Sequence, residues 1–184
     1  GLGGRFDSTN VISRPRLTAI TSISHDHHAF LGNTLAKIAY EKAGILKRGT
    51  PLVVARQPKR AREVIEHCAQ SVGVPIVARA MPSARHGDAF DWSYEHTERS
   101  FELHFRGDRL ALPQPALIGG HQFDNAAQAA VCVAMLDEYR VEPAALSEGL
   151  QSTTWPGRLQ RIRPGTINKR LPGDLEIWYD GGHN

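Results

Sequence analysis

Lys42 and His27 are the residues whose types and spacing could do chemistry. A helix capped by Asn33 or Thr34 and stopped by Gly44 would place Leu35, Ile38, Ala39 and Lys42 on one side at about 100° per residue. Lys37 and Glu41 would share the opposite, solvent-like side. A lysine enclosed in an apolar stripe is driven towards the neutral amine, a nucleophile able to add carbon dioxide. The resulting carbamate is a metal ligand. With Asp26 and His27 just beyond a strand end, a site for a hard divalent cation can be assembled. A second reading of the same residues has Lys42 snorkelling from the last helical turn, where a cation suits the helix dipole, with His25, His27 and His28 in a solvated loop. A third makes His25, Asp26, His27 and His28 the ligands of a metallohydrolase. Neighbouring positions on an extended chain face opposite ways, so at most two of the four could converge on one ion.

The elements that must position these groups follow from the pattern. Leu17 to Ile23 is β-branched or apolar and follows Pro15, which predicts a strand that delivers His27 from its carboxyl end. Residues 51–55 form a second apolar run. Pro58 then opens a helix through about Ser71, with Ala61, Val64, Ile65 and Cys68 on one face, and Pro75 to Ala78 is the next strand. This alternation predicts an α/β fold with a mostly parallel sheet, whose ligands bind at the carboxyl ends of the strands. From Met81 to Pro115 short alternating segments, including Phe90 to Tyr94 and Ser100 to Phe105, predict a small antiparallel section. His86, His96 and His104 are spread through it without metal spacing, at surface or edge positions.

After Gly119 and Gly120 a helix of about four turns is expected to reach Tyr139, with a buried stripe of Ala126, Ala129, Ala130 and Val133. Asn125 lies beside that stripe. On its own it reads as a helix-start hydrogen bonder, although an amide also suits an adenine edge. A short helix, Pro143 to Leu150, leads into the turn residues Thr153 to Gly157, which mark a boundary. Arg158 stands at the head of a strand Leu159 to Arg163. A basic, loop-like segment follows, and Leu175 to Tyr179 is a strand ending at Asp180.

Composition narrows the classes. The 184 residues are 41% hydrophobic, enough for a sizeable core, and no apolar run approaches the roughly 20 residues of a membrane helix. Cys68 and Cys132 sit far apart in helical patterns, which suits free thiols in a reducing compartment; a cytoplasmic location is expected. The net charge of +3 is uneven, with ten Lys/Arg against three Asp/Glu in residues 1–60. No nucleic-acid signature accompanies that excess, so phosphate- and carboxylate-bearing small ligands fit better, and neither nucleic acid nor membrane is expected as a partner. Gly1 to Gly4 reads as a tight loop whose backbone approaches something closely. Its G-x-G-G spacing lacks both the dinucleotide fingerprint and the Gly-Lys-Ser/Thr of a P-loop.

Six strings occur in order along nearly the whole chain: Gly1 to Asn10; Thr21 to Ile23 with Asp26-His27 and Leu31-Gly32; Glu41 to Ile45; Gly120-His121-Gln122 with Asn125-Ala126-Ala127; Trp155 to Leu159; and Asp180 to Asn184. Together they resemble the Mur ligase superfamily, and within it the folylpolyglutamate synthase / dihydrofolate synthase family. The resemblance implies an ATP-binding domain over residues 1–152 and the start of a Rossmann-like glutamate ligase domain over residues 153–184. It implies a piece of a longer enzyme, inactive alone, because the P-loop and an acidic magnesium residue would precede Gly1. It implies Phe6, Asp7 and Ser8 on the pteroate side, adenine at Asn125, ATP phosphate at Arg158, and Asp180 with His183 facing the nucleotide. Gly182 stands where alanine is more familiar. The implied activity is ATP-dependent ligation of L-glutamate to dihydropteroate and/or folate through an acyl phosphate. ATP and Mg2+ would be the cofactors, His27 and carbamylated Lys42 the catalytic and metal residues, and the protein a monomer. The alternatives are a Mur-type cell-wall precursor ligase and a non-catalytic scaffold.

Overall fold

The structure is a computed structural model that describes residues 3–24, 34–79, 92–162, 165 and 175–182. Three parallel strands, β1 (Thr18–Ile20), β2 (Leu52–Val54) and β3 (Ile76–Ala78), pair in the order β1-β2-β3, with Thr18 level with Leu52 and Leu52 level with Ile76. Helix α1 (Leu35–Lys42) and helix α2 (Lys59–Val72) lie between the strands in sequence and pack on each other. Both obey local rules at one end. The Thr34 hydroxyl accepts the Lys37 N–H at 3.3 Å to cap α1. Gly73, at φ 77°, closes α2 by donating its N–H to Ala69 and Gln70.

Strand β2 is buried on both faces, as expected of a central parallel strand. Leu52 and Val54 enter one core with Ile20, Ile38, Ala39, Ile65 and Ala69. Val53, pointing the other way, enters a second core with Trp92, Phe101, Phe123, Ala127 and Val131. The sheet is therefore a wall between two cores.

The second core is closed by an antiparallel sheet, β4 (Trp92–His96), β5 (Ser100–Phe105) and β6 (Asp108–Pro113). Arg106 and Gly107 join β5 to β6, both at positive φ, the two-residue turn that matches strand twist. Phe101, Leu103 and Phe105 turn inward from β5. His96 is exposed, with its ring stacked 4.6 Å from that of Phe123, and His104 is half-buried beside Glu102 at 2.7 Å, in keeping with edge positions. His86 and Phe90 lie outside the described residues.

Helix α3 (His121–Ala134) differs from the sequence expectation in two ways. Its buried stripe is Phe123, Ala126, Ala127, Ala130 and Val131, whereas Ala129 is exposed and Val133 half-buried. The bulk of Phe123 and Val131 turns the helix, since those two side chains fill the core that alanines alone would leave empty. It also ends at Ala134; a single 3-10 turn, Asp137–Tyr139, follows and Arg140 adopts φ 42°. Helix α4 (Pro143–Ser152) has Pro143 in its first turn. The chain then forms a small antiparallel ribbon of β7 (Gln160–Arg161) and β8 (Trp178–Tyr179), shorter than the two strands read from the sequence. Among the described residues no helix is long and apolar enough to cross a membrane.

Candidate active site

The ribbon and the start of α3 face each other across a cavity of about 210 Å³, lined by Ile118, His121, Gln122, Arg158, Leu159, Asp180 and Gly182. Two of the predicted nucleotide residues, Arg158 and Asp180, thus meet in one place. Asn125 adjoins it, donating its amide to Gln122 Oε1 at 3.1 Å. Gly119 makes the approach possible. At φ 120° it adopts a backbone that side chains disfavour, and a Cβ there would lie 2.7 Å from His121 Cε1.

Asp180 organises the turn. Its Oδ2 accepts the Leu159 N–H at 2.7 Å and its Oδ1 the Gly182 N–H at 2.5 Å, while Gly181 donates to Gly157 O at 2.7 Å. The Leu159 bond, then that of Gly182, hold its carboxyl below the usual carboxylate range, with Arg158 and His121 adding weaker attraction. Leu159 sits at φ 41°, unusual for a branched side chain, so the turn holds a strained residue beside the cavity. Arg158, exposed in the turn ahead of β7, supplies a fixed cation with a planar donor array suited to phosphate. A cation, an anion kept charged, an imidazole and amides around one small cavity can hold a phosphorylated, hydroxyl-bearing ligand.

A second arrangement surrounds the end of α1. A Cβ on Gly4 would lie 2.5 Å from Glu41 O and 2.6 Å from Lys42 O, and one on Gly44 would overlap the Arg5 backbone at 2.6 to 2.7 Å. Arg5 N–H donates to Glu41 O at 3.3 Å, and the Asn10 amide reaches Arg5 O and Gly44 O. Gly4 is therefore seated on the last turn of the lysine-bearing helix, the close approach that the glycine-rich composition predicts, while Gly1 and Leu2 lie outside the described residues. Asp7 caps the next turn, accepting the Thr9 hydroxyl at 2.6 Å and the Thr9 N–H at 2.9 Å, which lower its pKa in that order. Phe6 is 88% exposed and Ser8 is also open. Lys42 is half-buried rather than enclosed. The correction has a geometric cause: Lys42 is the final residue of α1, and Ala43, in the following 3-10 turn, completes the buried stripe. Glu41 is half-buried too and, with Lys37, borders the groove between α1 and α2.

A family model, the Mur ligase middle domain, matches residues 4–133. The chain belongs to the Mur ligase family. It is 36% identical over 189 residues to a dihydrofolate synthase/folylpolyglutamate synthase of Bacillus subtilis, covering all of this chain and 40% of that protein. Among solved structures it is similar to E. coli FolC in complex with DHPP and ADP, with TM-score 0.78, 28% identity, all of this chain and 38% of that one. It is similar also to an FPGS-AMPPCP-folate complex, with TM-score 0.77, 30% identity, all of this chain and 42% of that one. The chain thus spans about 40% of the length of these relatives, and the expected fold, a Mur-ligase-like parallel sheet with flanking helices and an antiparallel section, is the one observed.

Of the predicted site residues, the fold brings Arg158 and Asp180 to one cavity, with Asn125 bonded to its lining residue Gln122, and Phe6, Asp7 and Ser8 to the loop that follows Gly4 beside the end of α1. His27 and His183 lie outside the described residues. In the sequence His121 and Gln122 are no more than parts of a string, yet both line the cavity. Their signal was the Gly119-Gly120 pair directly before them, which brings the helix start close to its neighbours. Among the described residues no group of three His, Cys, Asp or Glu side chains could hold a metal ion.

Proposed function

We propose that the complete protein is an ATP-dependent amide ligase joining L-glutamate to dihydropteroate and/or folate. The observation that carries this reading is the meeting of Arg158, Asp180, Gln122 and neighbouring Asn125 at one cavity, in a domain whose relatives bear folate-ligase names and include a complex with ADP. In the reaction, a substrate carboxylate oxygen takes the γ-phosphoryl group of ATP and ADP departs. The glutamate amine then attacks the acyl carbon, losing a proton, and phosphate leaves. Both halves place negative charge on oxygen, which positioned cations stabilise. In this reading Arg158 binds phosphate, Asn125 the adenine edge, and Asp180 with His183 the remaining nucleotide face. Phe6, Asp7 and Ser8 border the pteroate.

Lys42, as a carbamate, and His27 are proposed to hold magnesium, which would neutralise phosphate charge when bound. The half-burial of Lys42 and the seating of Gly4 on its helix support a positioned group there. The division near residue 153 is proposed as the boundary between ATP-binding and glutamate ligase domains, and the protein is proposed to act as a cytoplasmic monomer. The names of the relatives favour the folate reading over a cell-wall precursor ligase. Turnover of the complete protein with ATP, glutamate and dihydropteroate tests it. Activity only with a UDP-sugar peptide and its amino acid would replace the reading with the cell-wall one.

A further inference from the structure

Gln122, the second residue of α3, is 6% exposed, whereas His121 and Asn125 beside it are open to solvent. Its side chain joins the two. The amide nitrogen, Nε2, lies 3.0 Å from His121 Nε2, and the amide oxygen, Oε1, accepts the Asn125 amide N–H at 3.1 Å. An amide nitrogen only donates, so the imidazole accepts at Nε2 and carries its proton on Nδ1. The His121 ring is confined on that side by Gly119, where a Cβ would lie 2.9 Å from Nδ1 and 2.7 Å from Cε1. Phe123 enters the core and Asp124 is taken by Arg79 and the Tyr94 hydroxyl, so this polar chain is separate from its neighbours on the helix.

The chain of bonds has a direction. An amide presents donors at one end and an acceptor at the other, and a buried amide has no water to make up for a mismatched end. With Gln122 Oε1 turned to Asn125, the Asn125 nitrogen gives it one hydrogen and keeps the second. Among the described residues no other side chain pairs with Asn125 Oδ1. Asn125 therefore offers an acceptor beside a donor, the complement of an adenine edge, where an exocyclic amine stands next to a bare ring nitrogen. The reversed chain, with Gln122 donating to Asn125 Oδ1, would occupy that acceptor and leave both amide hydrogens. Two donors fit the carbonyl that guanine and hypoxanthine carry in place of the amine. The direction of the buried amide thus sets which base edge the exposed one can read.

We propose that Gln122 is a positioning residue that determines base specificity: anchored on His121, it fixes the direction of the Asn125 amide and so selects a base with an exocyclic amine over one with a carbonyl there. The inference rests on the reading of Asn125 as the residue at the adenine edge. Calorimetric titration of the complete protein with ATP, and separately with inosine triphosphate, tests it through binding alone, whether or not glutamate is ligated. The unaltered protein should bind ATP about tenfold or more tighter. Gln122→Met, unbranched and of similar length, removes both bonds; the preference should fall below about threefold through weaker ATP binding, with the inosine nucleotide little changed. Gln122→Glu keeps an oxygen for the Asn125 N–H and accepts from a His121 protonated at Nε2, so the preference should survive. His121→Leu alters an exposed residue and leaves the core alone; it should lower the preference, because nothing then fixes the direction of Gln122. A side chain that only fills space would make Met the milder change and move both nucleotides together. That order, or an unchanged preference in both Gln122→Met and His121→Leu, would overturn the proposal and leave Asn125 at the base. Equal affinities in the unaltered protein, or no binding of either nucleotide, would overturn it together with the adenine reading.

Discussion

Single side chains decide whether the cavities work. Lys42→Ala in the complete protein is expected to abolish ligation while the fold persists, because a half-buried residue at a helix end contributes little to the core; added short carboxylates should restore part of the rate. Lys42→Arg should stay inactive, since guanidinium forms no carbamate. Steady-state turnover with and without acetate decides, and full activity of Lys42→Arg would sink the carbamate. Asp180 gives a pH test. Its folded pKa lies below the unfolded value, so its contribution is complete above the unfolded value and disappears as pH falls through the folded one. The turn that it ties should therefore open in acid, below about pH 4. Trp178 emission should follow that opening, and Asp180→Asn should show the altered signal already at neutral pH. That Arg158 and Asp180 share one cavity was legible because each stands in a distinctive string. His121 was not, because a histidine opening a helix has the same look whether it meets solvent or a ligand.

At the scale of elements, two contacts set where helices may sit. Gly44→Ala would drive a methyl group into the Arg5 backbone, which cannot swing aside as a side chain can. A loss of roughly 1–3 kcal/mol is expected, read from denaturant unfolding. Gln128, buried on α3, donates to Ile20 O at 3.0 Å and Val53 O at 3.2 Å, tying the helix to the parallel sheet. Gln128→Leu should cost about 1 kcal/mol, whereas Gln128→Glu, a buried anion among carbonyls, should cost about 3 kcal/mol or more. Equal effects would show that the amide only fills space. Element type was readable from period and from Pro58, Gly73 and Gly119. The rotation of α3 was not, because in the run Asn125 to Ala134 alanines recur on several faces and periodicity alone does not choose among them; the packing partners of Phe123 and Val131 do.

Across the whole molecule, two cores share one sheet. Leu52→Ala on one side and Phe101→Ala on the other should each destabilise by about 2–5 kcal/mol and move the same cooperative transition. Two separate transitions, detected by circular dichroism and by Trp92 fluorescence, would mean that the wall does not couple its sides. The α/β alternation could be read in the sequence, but the wall could not, since the antiparallel strands lie more than thirty residues from the strand whose far face they cover. Strand β2 carries the consequence. The Leu52 N–H bonds Pro75 O at 2.8 Å and Ala55 N–H bonds Ile20 O at 3.0 Å, both between layers that are covered above and below. Placed in heavy water, those amides should keep their protons until the entire domain opens, whereas the ribbon at Gln160–Arg161 and Trp178–Tyr179, exposed and two residues a side, should trade them within the shortest labelling times.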